Sequence, residues 1–262
     1  MRIYQVDAFT DRLFTGNPAA VLVLEDWLPD DLMQAIAQEN NLAASAFVNP
    51  RADGTWDLRW FSPTQELDFC GHASLATAHI LFTNFGASAA IVFHTQAGQL
   101  RASKDASRYQ LDIPSMPPEV IDALPPELKG MFSSAPAKVF RNFKNIFADL
   151  GSADAVCSFV PDFAAITQID PLGLVVTGQE VESAKADFVS RCFAPSAGIP
   201  EDPVTGSTHA TLVPYWAGQL GRDKLVGHQA SKRGGWLTCE LTNDRVLLGG
   251  NAVTYMEAEI SL

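Results

Sequence analysis

The sequence is short of basic residues and of long apolar runs, and each shortage excludes a class of partner. Lys and Arg number 18 against 30 Asp and Glu, which gives a formal net charge of −12 at pH 7. A chain this acidic is repelled by phosphate backbones and anionic membranes, so we expect no nucleic acid partner. No apolar run approaches the roughly 18 residues that a membrane-spanning helix requires, so we expect no membrane partner.

Cysteines are few and far apart, which argues against disulfides and zinc. They form no CxxC pair and show no spacing typical of a metal site or a disulfide framework. The four are Cys70, Cys157, Cys192 and Cys239. The first residues alternate like a strand and lack the apolar core of a signal peptide. These features predict a protein of the reducing cytoplasm.

Motifs that hold cofactors are also missing. The sequence contains no GxGxxG, no Walker P-loop and no GxSxG nucleophile elbow. No cluster of His, Asp and Glu has metal-site spacing, and we interpret His79 and His209 as packed side chains rather than ligands. We therefore expect no cofactor and no metal.

What the sequence does contain is enough apolar material for two compact halves. Hydrophobic residues make up 47% of the 262 residues. The pattern of the first half predicts one helix from Pro29 to about Glu39 and another from Gly71 to Phe85. It predicts strands at Ile3–Phe9, Ala19–Leu24, Ala46–Val48, Trp56–Trp60, Ala90–His94, Gln99–Ser103 and Tyr109–Ile113.

The second predicted helix, from Gly71 to Phe85, is small or apolar on nearly every face, so we expect it to be buried all round. A Pro-rich stretch from Pro114 to Pro126 then breaks the pattern. We place the domain boundary there, with an N-terminal half at residues 1–115 and a C-terminal half at residues 116–262. It stays open whether the last strand returns to the first half.

Three segments of the first half recur in the same order about 130 residues further on. They are Arg59–Thr64 with Arg191–Ser196, Glu66–His72 with Glu201–Ser207, and His94–Ala97 with His228–Ser231. A repeat of this length indicates duplicated domains, because solenoid units run roughly 20 to 50 residues. We predict an α+β fold of two similar halves, each a mostly antiparallel sheet wrapped around a central helix.

Each predicted central helix begins at a glycine, Gly71 in one half and Gly206 in the other. The free amide groups of a helix start, together with the positive end of its dipole, form a site for a carboxylate. We expect the active site between these two helix starts, and a small carboxylate-bearing substrate in it.

The residues beside the two glycines are the candidates for chemistry. A helix start lowers the pKa of His72 and favours a neutral imidazole suited to proton transfer; the alternative is a structural histidine. Cys70 and Thr205 are equivalent residues, of which only Cys70 has a thiol that can ionise, although core packing is its alternative. Asp202 is a turn or cap residue, a group that orients His72, or a group that holds a substrate amine.

In order and combination, these residues resemble the PhzF-like phenazine biosynthesis family, within the diaminopimelate epimerase superfamily. The resemblance runs over essentially the whole chain. The matching segments are Val6–Thr10, Gly16–Val21, Glu39–Leu42, Cys70–Ala73, Glu201–Ser207, Arg233–Gly235 and Gly249–Gly250. It implies a diaminopimelate epimerase-like fold and commonly a homodimer. It also implies cofactor-free proton transfer next to a carboxylate, as in isomerisation of a dihydro-hydroxyanthranilate-like substrate.

The resemblance also assigns roles to single residues. His72, Asp202 and Ser207 match the family's active-site positions. Gly71 and Gly206 line the site, and Asn17 is a further substrate contact. We include Thr205 in the substrate-binding set because it directly precedes Gly206.

One position departs from the family pattern. The family usually reads Ser-Glu-Thr after the Asn-Asn-Leu segment, and that Glu is its general acid/base, whereas this chain reads Ala43-Ala44-Ser45. A methyl group cannot carry a proton, although Ala44 and Ser45 still line the implied site. Three explanations stay open: another base such as Cys70 or His72, a binding or regulatory homologue, or an engineered change.

The sequence thus leaves a leading hypothesis and two alternatives. The leading one is a cofactor-independent isomerase or epimerase that moves a proton on a small carboxylate. The first alternative is a catalytically silent protein that binds small acids. The second is a structural or interaction protein, which the duplicated helix starts argue against.

Overall fold

In a computed structural model, which describes residues 1–88, 90–105, 108–169 and 173–262, the chain forms two compact units. Unit 1 comprises Met1–Ile113 and Leu247–Leu262, and unit 2 comprises Pro114–Val246. Unit 1 therefore contains both the first and the last residues of the chain.

The described residues form eighteen strands, five α-helices and two 3-10 helices. The strands are β1 (Arg2–Ala8), β2 (Asn17–Val23), β3 (Ala44–Pro50), β4 (Trp56–Phe61), β5 (Glu66–Leu67), β6 (Ile91–Thr95), β7 (Gly98–Asp105), β8 (Arg108–Pro114), β9 (Glu119–Val120), β10 (Lys138–Arg141), β11 (Asn145–Ser152), β12 (Gly173–Gln179), β13 (Phe188–Ala194), β14 (Ile199–Asp202), β15 (Lys224–Gln229), β16 (Gly235–Thr242), β17 (Arg245–Gly250) and β18 (Ala252–Glu259). The α-helices are α1 (Asp30–Asn40), α2 (Gly71–Asn84), α3 (Ala153–Ser158), α4 (Phe163–Thr167) and α5 (Gly206–Leu220), and the 3-10 helices span Pro126–Met131 and Pro195–Ala197.

The sheet of unit 1 is mixed. Strand β1 pairs antiparallel with β2 and β18, β2 pairs parallel with β3, and β3 pairs antiparallel with β4. Strand β4 pairs antiparallel with β5 and parallel with β6, and the antiparallel pairs β6–β7 and β7–β8 follow.

The two faces of strand β3 pack against different helices. Phe47 lies in an apolar cluster with Met33 and Ile36 of α1. Because side chains alternate along a strand, Ala44 points to the opposite face. Helix α2 packs against β1, β2 and β3, and every residue from Gly71 to Leu81 is buried. The prediction of a helix buried all round is confirmed, and the helix ends one residue earlier than predicted, with Phe85 as its C-cap.

Unit 2 repeats this strand order. Strands β11 and β12 are parallel, β12–β13 and β13–β14 are antiparallel, β13–β15 is parallel and β15–β16 is antiparallel. The registers also match. Trp60 pairs with Leu67 in unit 1, and the equivalent residues Cys192 and Asp202 pair in unit 2.

Helix α5 is the counterpart of α2 and contains Pro214. Proline has no amide hydrogen, so the carbonyl of Ala210 loses its helical partner. The backbone N–H of Met116 donates to that carbonyl at 2.9 Å. The Pro-rich stretch after residue 113 is therefore held against α5 by a hydrogen bond to the carbonyl that Pro214 leaves without a helical partner.

The α+β class predicted from the sequence is confirmed. Among the described residues, the parallel pairs are β2–β3, β4–β6, β11–β12 and β13–β15, and the other registered pairs are antiparallel. Over the same described ranges, no helix has both the length and the apolar character needed to cross a membrane.

Candidate active site

The first helix start consists of Cys70, Gly71 and His72 at the beginning of α2. Cys70 is the N-cap residue, with extended backbone, and its side chain makes no capping hydrogen bond. Its Sγ atom lies 3.4 Å from Nδ1 of His72. Because the thiol turns to the imidazole, the amide groups of the first turn keep their capacity to bind an anion.

His72 is buried and uncharged. Its side chain is 6% exposed, and burial lowers its pKa from 6.5 to about 3. The sequence predicted a lowered pKa from the helix start, whereas desolvation is the cause that the environment supplies. A neutral imidazole offers one hydrogen-bond donor and one hydrogen-bond acceptor.

The second helix start, at Thr205 and Gly206 of unit 2, is polar and closed by hydrogen bonds. The hydroxyl of Thr205 donates to Oδ2 of Asp202 at 2.5 Å. Asp202 is 8% exposed and ends β14. Of the interpretations open for Asp202, a helix cap is excluded, because Thr205 holds the N-cap position without a capping side-chain bond.

A residue that the sequence did not single out completes this second start. Gln229, at the end of β15, is fully buried. It accepts a hydrogen bond from the backbone N–H of Thr205 and donates to the carbonyl of Asp202, both at 2.8 Å. Only the repeat gave a signal for this position, because Gln229 follows His228 in the recurring segment.

The residues after Gly206 divide between site and core. Ser207 is half-buried in the first turn of α5. His209 is fully buried, with Nδ1 at 2.8 Å from the carbonyl of Thr205 and its ring packed on Phe188. Burial lowers the pKa of His209 to about 4, so its ring is neutral. The interpretation of His209 as a packed side chain agrees with these contacts.

His79 of α2 is likewise a core residue. Its Nδ1 lies 2.9 Å from the hydroxyl of Tyr109, and its Nε2 lies 2.8 Å from the hydroxyl of Thr254. Burial, and secondarily the charge of Lys104, lower its pKa to about 4. Both ring nitrogens are thus within hydrogen-bond distance of hydroxyl groups of the same unit.

Strand register brings Asn17 and Ala44 to the face of unit 1 that carries α2. Ala44 pairs with Ala19, two residues from Asn17, so these side chains share one face. Asn17 and Ala44 are both fully buried. Trp60 lies on this face as the partner of Ala46, and its buried indole nitrogen has no hydrogen-bond partner among the described residues.

Ser45 points the other way. Its hydroxyl accepts a hydrogen bond from the side chain of Asn40, the last residue of α1, at 3.1 Å. The structure therefore places Ser45 on the α1 face, apart from Ala44, although the two are consecutive in the sequence. A role for Ser45 toward a substrate would have to come from its backbone.

Within residues 1–88, 90–105, 108–169 and 173–262, no three His, Cys, Asp or Glu side chains are gathered as a metal site requires. Cys70, Cys157, Cys192 and Cys239 are not joined by disulfides.

Comparison with known proteins matches this chain to one family. The model of the PhzC-PhzF family, described as phenazine biosynthesis-like protein, matches residues 6–258. A protein of Halalkalibacterium halodurans named as an uncharacterized isomerase is 44% identical, over 99% of this chain and 98% of its own length. A protein of the same description from Pseudomonas aeruginosa is 41% identical, over 100% of this chain and 99% of its own.

A solved structure shares the fold. The crystal structure of a PhzF family protein from Enterococcus faecalis superposes with a TM-score of 0.93 at 42% identity, covering 100% of this chain and 99% of that one. The resemblance seen in the sequence motifs is thereby confirmed.

Proposed function

Because the chain belongs to the PhzC-PhzF family of phenazine biosynthesis-like proteins, we propose that it is an isomerase that moves a proton on a small carboxylate without a cofactor. Two curated relatives that are more than 40% identical are named isomerases. The observation that carries the proposal is the contrast between the helix starts: a buried neutral imidazole, His72, at one and a hydrogen-bonded carboxylate, Asp202, at the other. A titratable group whose pKa is strongly shifted by burial is typical of functional sites.

The roles follow from the chemistry of each group. The amides of the first turns, at Gly71 and Gly206, bind the substrate carboxylate and the negative charge that develops on it. Asp202 removes a proton from the neighbouring carbon. Cys70 or His72 gives a proton to another carbon, or to the opposite side of the same carbon. Asp202 then releases the proton it took and the donor takes one up from solvent, so that both substrate and enzyme keep their atoms.

The remaining members of the proposed site bind rather than react. They are three side chains predicted to contact the substrate, the strand residue at the family's Glu position, and Ser45, which can contact a substrate only through its backbone. This set comprises Asn17, Ser45, Thr205, Ser207 and Ala44. For Thr205, substrate contact would compete with its hydrogen bond to Asp202.

Deuterium exchange tests the proposal. A panel of small unsaturated, hydroxy and amino carboxylic acids is incubated with the enzyme in deuterated water and followed by proton NMR. We expect at least one acid to incorporate deuterium, at a rate reduced about 10²- to 10⁴-fold in Asp202→Asn and in His72→Gln. Asp68→Asn, which removes an exposed carboxylate near the first helix start, should exchange at the original rate. If no acid exchanges, the proposal fails.

A second function, binding of a small acid without turnover, is favoured by one observation. Ala44 occupies the position at which the resemblance expects the general acid/base, and it is fully buried. In that case an acid stabilises the protein without exchanging a proton. At about 100 times its dissociation constant, a ligand adds roughly 2.7 kcal/mol to the free energy of unfolding, which thermal unfolding detects.

We extend the proposal to assembly and location. We propose a homodimer, as the family resemblance implies, which light scattering coupled to gel filtration measures directly. We also propose a cytoplasmic location, which four cysteines outside disulfides favour because thiols persist in a reducing compartment. Fractionation of the producing cells tests that location.

A further inference from the structure

The amide of Gln229 makes three contacts with one turn. Its Oε1 atom is 2.8 Å from the backbone nitrogen of Thr205. Its Nε2 atom is 2.8 Å from the carbonyl of Asp202 and 3.1 Å from the hydroxyl of Thr205. The side chain is fully buried, so water does not compete for these bonds.

The two backbone contacts fix which end of the amide is which. A backbone N–H only donates, so it must face the oxygen of Gln229; a carbonyl only accepts, so it must face the NH₂ group. The third contact is then also determined, because the NH₂ group has no lone pair to offer. It donates its second hydrogen to the hydroxyl of Thr205.

This donation orients the proton of Thr205. With one lone pair occupied by Gln229, the hydroxyl directs its own hydrogen to Oδ2 of Asp202, 2.5 Å away. A hydrogen bond to a carboxylate favours the ionised form over the protonated one. The chain of bonds thus has a single direction, from the amide through the hydroxyl to the carboxylate.

We propose that Gln229 is a positioning residue, which sets the direction of the Thr205 hydroxyl and thereby keeps Asp202 as an ionised, hydrogen-bond-accepting carboxylate. The direction of the bonds does not depend on the reaction that the protein catalyses. Its consequence for proton removal by Asp202 rests on the proposed function.

Three titratable groups near this turn are neutral or paired at pH 7. Burial, followed by the charge of Asp202, raises the pKa of Cys192 on β13 to about 12. Burial lowers the pKa of His209 on α5 to about 4. Two nitrogens of the Arg191 guanidinium, Nε and Nη2, donate to the carboxylate of the adjacent Glu201 at 2.7 and 3.1 Å. The Thr205 hydroxyl donates directly to Asp202, so its orientation changes the proton affinity of that carboxylate.

Unit 1 uses the equivalent position differently. His94 pairs with Asp57 as His228 pairs with Val189, so Thr95 corresponds to Gln229. The hydroxyl of Thr95 donates to the carbonyl of Gly98 in its own hairpin, at 2.7 Å. The long amide that reaches the turn before the helix is thus a feature of the second helix start.

Carboxyl carbon NMR of protein labelled at aspartate measures the proposal without a substrate. The signal of Asp202, assigned through Asp202→Asn, is titrated in the full-length protein. We expect Thr205→Val, which removes the hydroxyl, to raise the midpoint by about one pH unit, a tenfold change in proton affinity. Thr205→Ser, which keeps the hydroxyl, should leave the midpoint in place.

Gln229→Met removes the amide at similar length and without adding charge. We expect it to raise the midpoint about as much as Thr205→Val, and the double variant to show no further rise, because both changes act through one hydroxyl. If Gln229→Met does not fold, Gln229→Leu, which also lacks the amide and adds no charge, replaces it. A midpoint that shifts with Thr205→Val but stays in place without the Gln229 amide overturns the proposal.

Exchange kinetics separate this inference from the proposed function. Where the wild type exchanges deuterium, the acid limb of its rate profile should move to higher pH in Gln229→Met together with the NMR midpoint. If no acid exchanges while the midpoint still shifts, the proposed function fails and the positioning role stands. If exchange occurs and its acid limb does not move, Gln229 has no part in it.

Discussion

The two helix starts are built on the same backbone and carry opposite chemistry. In both units a strand with an Arg, an antiparallel partner with a Glu and a helix beginning at Gly71 or Gly206 follow in one register. The first start presents a thiol and a neutral imidazole, whereas the second presents a carboxylate that accepts from a hydroxyl, which in turn accepts from an amide. The backbone of the helix start is thus repeated, while the side chains beside it differ.

The difference begins at one pair of equivalent residues. Trp60 in unit 1 fills its place with an indole whose edge meets Phe69, 5.9 Å away between ring centres. Cys192 in unit 2 is small and pairs directly with Asp202. A bulky apolar residue favours an uncharged group beside it, whereas a small one leaves room for a carboxylate and its partners.

Placing a carboxylate on the first unit tests this contrast most strongly. Ala44→Glu puts an acid on the face that carries α2, where the buried indole nitrogen of Trp60 offers a donor. We expect deuterium exchange of the substrate to rise about 10²- to 10⁴-fold, the contribution of a positioned general base. Proton NMR in deuterated water measures the rate, and circular dichroism checks the fold.

Ser45→Glu is the matched control. It adds the same side chain one residue further along β3, but on the α1 face. We expect no gain in exchange from it. Equal gains from both variants would show that the direction of the side chain is irrelevant, and the contrast between the two helix starts would lose its basis.

The stability of the protein at acid pH provides the next largest expected effect. His72 has a pKa of about 3 in the folded protein against 6.5 ordinarily, so the unfolded chain binds more protons between these values. The free energy of unfolding therefore rises with pH across this window. The stabilisation that the neutral imidazole contributes is lost progressively as the pH falls from about 6.5 to about 3. We expect His72→Gln to reduce this slope by about 1.4 kcal/mol per pH unit between pH 6 and 4.

Urea unfolding at a series of pH values measures that slope. Ser207→Ala, at the equivalent position of the second helix start, removes no titratable group and should leave the slope unchanged. An unchanged slope in His72→Gln would mean that the imidazole is charged or solvated in the native protein. The first helix start would then not carry a neutral imidazole.

The sequence predicts the backbone of the two helix starts better than the side-chain contacts beside them. The starts of α2 and α5 at Gly71 and Gly206 follow from local pattern and repetition, because a helix start is encoded within a few residues. The role of Gln229 does not, since its contacts with Asp202 and Thr205 join β15 to a turn more than twenty residues away.

Neighbouring residues can also separate in space. Ala44 and Ser45 are one step apart in the sequence and were assigned to one site, yet the alternation of a strand sends them to opposite faces. The strand was predicted to begin at Ala46, so its pleat did not enter the interpretation of these two residues. The pKa of His72 similarly depends on burial by distant segments rather than on its helix position.

The smallest expected difference concerns the ion pairs that precede the helices. Arg59 binds Glu66, and Arg191 binds Glu201, each through two nitrogens. The remaining nitrogen of Arg59 meets Asp30, whose side chain is 77% exposed, so water can replace the arginine there. That of Arg191 donates to the carbonyl of half-buried Phe159 at 2.7 Å.

Replacing each arginine by lysine should therefore cost unequal amounts. We expect Arg191→Lys to lower the free energy of unfolding by about 1 to 2 kcal/mol, because a carbonyl is left without its donor. Arg59→Lys should cost about 0.5 kcal/mol, as is typical of ion pairs near the surface. Urea unfolding of the two variants side by side decides the matter. Equal losses would mean that the two arginine–glutamate ion pairs stabilise their units alike. The units would then differ at the helix starts but not in the ion pairs before them.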